Sequence, residues 1–232
     1  MKLLSSVQRV SISEPNGSVA YGMDINVAGY HDSLYADNGI SPPEWLARAT
    51  KNRKAEYLCG RVLAKFALSF YGYADSPVSA DINRCPVWPN GITGSISHTD
   101  GYAICVIGKS RKISGVGIDI EAPFDLTTYH SISQVFVTPE ETEYLAKTFS
   151  EEDLGWIGTA VFSSKESIFK CLYPKYGQYF DFEEAVLVEI TPNCILHRYR
   201  LSPKVAIANE DKSIIDVSVS RFRNFIVTIC NT

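Results

Sequence analysis

Gly115-Val116-Gly117-Ile118-Asp119-Ile120-Glu121 is the stretch from which the rest of the chain is read. Its alternation of apolar and acidic residues toward the C-terminal end is the pattern of a β-strand. Successive strand side chains point to opposite faces, so Asp119 and Glu121 share one face and Ile118 and Ile120 the other. Two carboxylates about 6–7 Å apart along a strand can converge on one hard cation. Mg²⁺ prefers oxygen ligands and keeps waters or substrate phosphates beside one or two carboxylates. A half-buried strand with a solvated acidic face would show the same letters, so the decision falls to the flanking sequence.

Immediately upstream, Gly94-Ser95-Ile96-Ser97-His98 reads as a strand, Thr99-Asp100-Gly101 as a hairpin turn, and residues 102–107 as the returning strand. His98, at the hairpin end beside the Ser97 hydroxyl, is placed either to bind phosphate or to cap backbone groups. A loop over 73–86 ends in Arg84-Cys85-Pro86. Before it, the spacing predicts a helix over 51–71, with Ala55, Leu58, Cys59, Val62, Phe66 and Phe70 as its buried stripe. Arg53, Tyr57, Arg61 and Lys65 make a polar row one turn apart. Such a row is either an anion-binding face or a solvated face with snorkelling stems. Gly60 within that helix suggests a close backbone approach. Ser41 followed by Pro42-Pro43 predicts a further helix start. Residues 19–25 suit a strand and 29–40 are rich in turn formers.

Downstream, Thr138-Pro139-Glu140-Glu141 has the form of a capping box, which makes these acids structural. A helix is expected over 151–172, with Leu154, Ile157, Val161, Ile168 and Leu172 as its apolar stripe. Within it, Glu166 and Lys170 lie one turn apart. Three readings stand side by side: an ordinary surface pair, a helix-start box formed by Ser163 and Glu166, or Glu166 as a metal ligand or base with Lys170 on a phosphate. Four strands are expected over 185–190, 195–201, 214–220 and 225–229, the last two joined through Arg221-Phe222-Arg223-Asn224. The order of elements indicates an α+β fold in two similar lobes, 1–114 and 115–232.

The totals narrow the function. The 232 residues are 45% hydrophobic and 21% charged, ordinary for a globular protein, with a net charge of −4 that argues against a nucleic-acid partner. Against that balance, Arg48, Lys51, Arg53, Lys54, Arg61 and Lys65 cluster with only Glu56 opposing them, which suits a small anionic ligand. The six cysteines form no C-x-x-C pair and read as reduced thiols of a cytoplasmic protein. Residues 1–10 lack the apolar region of a secretory signal, and no apolar run is long enough to span a membrane.

Taken in order, the motifs Arg53-Lys54-Ala55-Glu56-Tyr57-Leu58-Cys59-Gly60-Arg61, Trp88-Pro89 with Gly94-Ser95-Ile96-Ser97-His98, Gly117-Ile118-Asp119-Ile120-Glu121 and Phe162-Ser163-Ser164-Lys165-Glu166-Ser167-Ile168-Phe169-Lys170 closely resemble the 4′-phosphopantetheinyl transferases. Within them the chain is most similar to the enterobactin-synthetase-component-D type of the Sfp-like group. The likeness covers residues 50–185, including Leu172-Tyr173-Pro174 and Phe180-Asp181-Phe182. It implies a pseudo-twofold fold, each lobe a small antiparallel sheet with a packed long helix, and coenzyme A bound in the cleft between the lobes. It also implies transfer of the phosphopantetheine arm of coenzyme A to a serine of an acyl, peptidyl or aryl carrier protein, with release of 3′,5′-ADP. By the same resemblance Asp119, Glu121 and Glu166 would hold Mg²⁺. Arg53, Arg61, Arg84, Ser97 and His98 would contact the nucleotide phosphates, and Lys165 and Lys170, both in the catalytic motif, would also bind coenzyme A, Lys170 nearest the pyrophosphate. Glu166 is the expected base. Siderophore, fatty-acid, polyketide and other nonribosomal pathways all fit, with a lean toward siderophores, and a monomer is expected.

Two other classes were weighed. A metal-dependent nuclease would want Glu-x-Lys on the acidic strand, but Glu121 is followed by Ala122-Pro123. A non-catalytic coenzyme A or carrier-protein binding module would be favoured if an acidic ligand or Lys170 were missing, and none is.

Overall fold

A computed structural model describes residues 7–12, 15, 17–73, 76–99, 101–207 and 212–232. Asp100, in the turn expected at Thr99-Asp100-Gly101, lies outside the described residues, as do residues 1–6 of the segment read for a secretory signal. The chain divides into two compact units, Met1–Ser114 and Gly115–Thr232.

In the first unit, β1 (Gln8–Arg9), β2 (Ser18–Asp24), α1 (Ser33–Asp37) and α2 (Lys51–Phe70) are followed by a short pair, β3 (Ser79–Ala80) with β4 (Pro86–Val87), and then by the hairpin β5 (Ile92–Thr99) and β6 (Tyr102–Lys109). The main sheet is antiparallel in the order β1-β2-β6-β5. The apolar stripe of α2 packs on β2, β5 and β6, with Leu58, Val62, Leu63 and Leu68 in one core with Ala103, Cys105 and Ile107 of β6, but Phe70, expected in that stripe, is exposed at the helix end. Thr50 caps α2 by accepting from the Arg53 amide. The helix start expected at Ser41 does not form. A residue before proline is pushed out of the α region, which bars Ser41 and Pro42 from a helix; Pro43 is extended at ψ 154° and a 3₁₀ turn, Glu44–Arg48, follows instead. A Cβ on Gly60 would meet Ile96 Cγ2 at 2.9 Å, so this glycine does mark a close helix–sheet approach.

In the second unit the opening stretch is β7 (Val116–Glu121). It is followed by α3 (Leu126–Phe136), α4 (Pro139–Thr148), α5 (Leu154–Tyr176), β8 (Ala185–Ile190), β9 (Leu196–Leu201), α6 (Pro203–Ala206), β10 (Ile214–Phe222) and β11 (Phe225–Asn231). The sheet is antiparallel in the order β7-β11-β10-β9-β8. The long helix α5 lies on β7 and β11. Each unit is therefore an antiparallel sheet with one long helix packed on it, an α+β arrangement.

Three local expectations change. The helix expected from residue 151 begins as a 3₁₀ turn, Glu151–Asp153, before α5. Ser163 and Glu166 do not form a helix-start box, because both sit well inside α5. An unexpected helix, α3, starts where the Asp125 side chain accepts from the Thr128 amide, and it buries Tyr129 and Phe136. The Thr138 capping box is present as expected.

Candidate active site

The acidic cluster is built on Gly117. A Cβ there would lie 1.9 Å from the Ser167 carbonyl oxygen and 2.6 Å from the Cys171 nitrogen. The backbone of α5 thus rests directly on β7, which only a residue without a side chain permits. Two residues on, Asp119 points from the strand into that contact and is 2% exposed. Its Oδ2 accepts from Ser163 Oγ at 2.8 Å and its Oδ1 from Lys170 Nζ at 2.5 Å. Ser163 in turn lies 2.9 Å from Thr228 Oγ1 of the neighbouring strand, and Thr228 donates back to the Ser163 carbonyl at 2.8 Å. Helix and strands are pinned together around one carboxylate.

Lys170 is faced by three carboxylates. Burial, the largest single influence, works against its charge, but Asp119, Glu166 and Glu121 outweigh it and hold the ammonium above its ordinary pKa. Glu166 shifts upward too, for a different reason. Burial pushes its carboxyl above the usual range, Lys170 draws it back, and Asp119 pushes it up again. Glu166 and Lys170 are therefore not an ordinary surface pair: both are half-buried, and the ammonium bonds to Asp119 across to the strand. Beside Glu166 opens a cavity of about 170 Å³, walled by Phe169, Tyr179, Phe180 and Phe182 and also lined by Lys165 and Asp181.

The donor set of Asp119, Glu121 and Glu166 consists of hard oxygens gathered about one positive charge, which suits Mg²⁺. Among the described residues no three His, Cys, Asp or Glu side chains come close enough to close on one ion by themselves. Mg²⁺ takes only one or two carboxylates beside water and phosphate oxygens, so a complete protein cage is not required.

Lys165 is placed differently from the expectation. It is 2% exposed, and its ammonium donates to Glu141 at 2.8 Å and to the Phe182 carbonyl at 3.2 Å. Burial lowers its pKa, with Glu141 opposing. The structure does not bring this ammonium into the group formed by Asp119 and Lys170.

The first unit carries the basic residues. Glu56 Oε2 lies 3.3 Å from Arg53 Nη1 and 3.5 Å from His98 Nδ1, and Arg53 Nη1 touches His98 Nε2. Arg61 is 6% exposed, stacks 4.5 Å over the Tyr57 ring, and bonds the Ser79 carbonyl at 3.4 Å. Its Nε has no hydrogen-bond partner among the described residues, a buried donor of the kind an anionic oxygen would satisfy. Arg84 adopts φ +68° in a turn where Asp81 Oδ1 accepts from the Asn83 and Cys85 amides. Its guanidinium stacks 4.7 Å over Trp45, whose ring meets Tyr57 edge-on at 5.7 Å. Arg84, Trp45, Tyr57 and Arg61 thus form one cation–aromatic series. Ser97 is buried and, by strand alternation, lies on the opposite face of β5 from His98.

Sequence reasoning missed Glu56, Trp45, Ser163 and Thr228 as parts of these clusters. The spacing of Glu56 one turn from Arg53 was the available signal for the first. No local signal existed for Thr228, which arrives from the far end of the chain.

Family comparison follows the same division. Residues 42–108 match the model of the 4′-phosphopantetheinyl transferase N-terminal domain. Residues 115–230, half of the chain, match the model of the 4′-phosphopantetheinyl transferase superfamily. The chain belongs to the 4′-phosphopantetheinyl transferase superfamily. Among curated relatives of this superfamily member, enterobactin synthase component D of Escherichia coli (strain K12) is 39% identical over 125 residues, covering 54% of this chain and 57% of the relative. The 4′-phosphopantetheinyl transferase Svp of Streptomyces mobaraensis is 33% identical over 143 residues, covering 61% and 57%. The 4′-phosphopantetheinyl transferase PptT of Mycobacterium tuberculosis is 31% identical over 157 residues, covering 66% and 67%. The chain spans 57% of the length of the first of these relatives.

Proposed function

We propose that this protein transfers the 4′-phosphopantetheine arm of coenzyme A to a serine hydroxyl of a carrier protein, releasing 3′,5′-ADP. The observation that carries the proposal is Lys170 held among Asp119, Glu121 and Glu166 on the α5–β7 contact. Phosphoryl transfer needs charge neutralisation and positioning more than covalent help from the protein, and this cluster supplies both. Asp119, Glu121 and Glu166 would hold Mg²⁺, which when bound supplies Lewis-acid neutralisation of the pyrophosphate.

In the step itself the serine oxygen forms a bond to the phosphorus that carries pantetheine. The bond from that phosphorus to the bridging oxygen breaks and leaves with 3′,5′-ADP. Glu166 takes the serine proton, a role open to a carboxylate that stands at the edge of the cavity. Lys170 neutralises the charge on the departing phosphate as a compact ammonium. The cavity beside Glu166, with its aromatic walls, is the proposed place for the arm. Arg53, Arg61, Arg84 and His98 contact the nucleotide phosphates, with the orphaned Arg61 Nε as the clearest vacancy for an anion.

The carrier partner is proposed to belong to siderophore assembly or a related nonribosomal or polyketide system. All six cysteines are free, as in a reducing cytoplasm, where the protein is proposed to act as a monomer; no described helix is long and apolar enough to cross a membrane. The test is mass spectrometry of an apo carrier incubated with the protein, coenzyme A and Mg²⁺, with and without EDTA. Gain of one phosphopantetheine arm that EDTA abolishes is the expected result. Intact coenzyme A binding with no gain on any carrier would favour a binding module. Near-normal turnover of Glu166→Gln at saturating Mg²⁺ would remove Glu166 as the base.

A further inference from the structure

One carboxylate ties four segments of the second unit together. Glu141 Oε2 accepts from the Thr138 amide at 2.7 Å, and Glu141 Oε1 accepts from the Leu187 amide of β8 at 2.5 Å. The same carboxylate takes the Lys165 ammonium of α5 at 2.8 Å. Lys165 adds a bond to the Phe182 carbonyl, in the turn that walls the cavity beside Glu166. The side chains of Lys165 and Glu141 are 1% and 0% exposed.

Stability alone does not call for such a pair. Removing two charges from water costs about as much as their attraction returns, and well-packed apolar replacements are often as stable. The pair does, however, determine geometry. Lys165 directly precedes Glu166 on α5, so the rotation and depth of the helix at Glu166 are set by where the Lys165 ammonium is anchored. The anchor also fixes the backbone of Phe182, so the wall of the cavity and the carboxylate beside it move as one piece.

We propose that Lys165 and Glu141 are positioning residues of the transfer reaction: the Lys165 ammonium, directed to Glu141 and the Phe182 carbonyl, holds Glu166 and the Phe182 wall in register. This rests on the transferase reading above, and it replaces the expectation that Lys165 contacts the phosphates of coenzyme A.

The experiment compares Lys165→Met, Glu141→Gln and the double variant by thermal midpoint, kcat per folded molecule and KM for coenzyme A. Lys165→Met is expected to lower the midpoint and to cut kcat about 100-fold, since a displacement of about 1 Å in a reacting group can cost that much. KM for coenzyme A stays within about twofold of the parent value if uniform substrate binding is untouched. The double variant no longer buries an unpaired charge, so its midpoint returns close to that of the parent. Its kcat stays about tenfold low, because the tie to Phe182 is still missing. A purely structural role would restore kcat together with the midpoint.

Parental kcat in the double variant would therefore overturn the proposal, as would a KM for coenzyme A raised about tenfold at unchanged kcat. If Lys165→Met does not fold, the double variant decides alone. A parent protein that modifies no carrier would instead overturn the transferase reading, a different and separable result.

Discussion

Replacing Gly117 by alanine tests the contact on which the acidic cluster is built. The added Cβ would sit 1.9 Å from the Ser167 carbonyl oxygen and 2.6 Å from the Cys171 nitrogen. Both atoms belong to the backbone of α5, so no side chain can swing aside. An ordinary carbon–oxygen contact needs more than about 3 Å, so α5 must lift from β7 by roughly 1 Å or more. Overpacking of this kind costs about 1–3 kcal/mol, and a clash this deep between backbones belongs at the upper end. For a chain of this length that is a fall in thermal midpoint of roughly 6–12 °C. The larger effect is on geometry. Asp119 is held to Ser163 at 2.8 Å and to Lys170 at 2.5 Å, both carried by α5, and neither bond survives such a shift. Turnover should fall at least about 100-fold. The assay is carrier modification by mass spectrometry beside a thermal melt, at a temperature well below the variant's midpoint. A Gly117→Ala variant with parental midpoint and parental turnover would refute the close α5–β7 contact and the site built on it.

Lys170→Met should leave the carboxylates around it without their counter-charge and lower kcat more than KM for coenzyme A, by about 100-fold or more, read by initial rates. Arg61→Met should instead raise KM for coenzyme A about tenfold with a smaller change in kcat, read as a binding isotherm for coenzyme A, because its buried Nε is the donor that a phosphate oxygen would fill. His197 gives a pH prediction. Burial lowers its pKa from 6.5 to about 3, so between those values the unfolded chain binds a proton that the folded chain refuses. The stability that depends on neutral His197 is complete above about pH 6.5 and is lost as pH falls, amounting to about 2 kcal/mol at pH 5. His197→Leu should flatten that part of the stability–pH curve in urea titrations at pH 7.5 and pH 5; an unchanged slope would show that His197 is not responsible.

Much of the architecture was readable from letters because it depends on local periodicity. The stripe of α2, the hairpin β5–β6, the Thr138 box and the alternation of β7 each depend on residues within a few positions of one another. Where local rules competed, the outcome changed. Ser41 had the chemistry of a cap, but the two prolines after it cannot both be preceded by helical backbone, and a 3₁₀ turn formed further on. Asp125 was a legible cap for α3 that its short, mixed helix pattern hid.

The site divides along the same line. Order and spacing of the motifs identified the candidate residues, and alternation along β7 placed Asp119 and Glu121 on one face, because strand geometry alone requires it. Which of those residues meet was decided by tertiary structure. Lys165 and Glu166 are neighbours in sequence, yet one ammonium is sealed against Glu141 while the adjacent carboxylate stands at the cavity. Ser97 and His98 are likewise neighbours that a pleated strand sends to opposite faces. Thr228 closes on Ser163 across 65 positions of chain. One residue's step around a helix or along a strand turns a side chain from ligand to interior, and only packing against a second element fixes which direction is which.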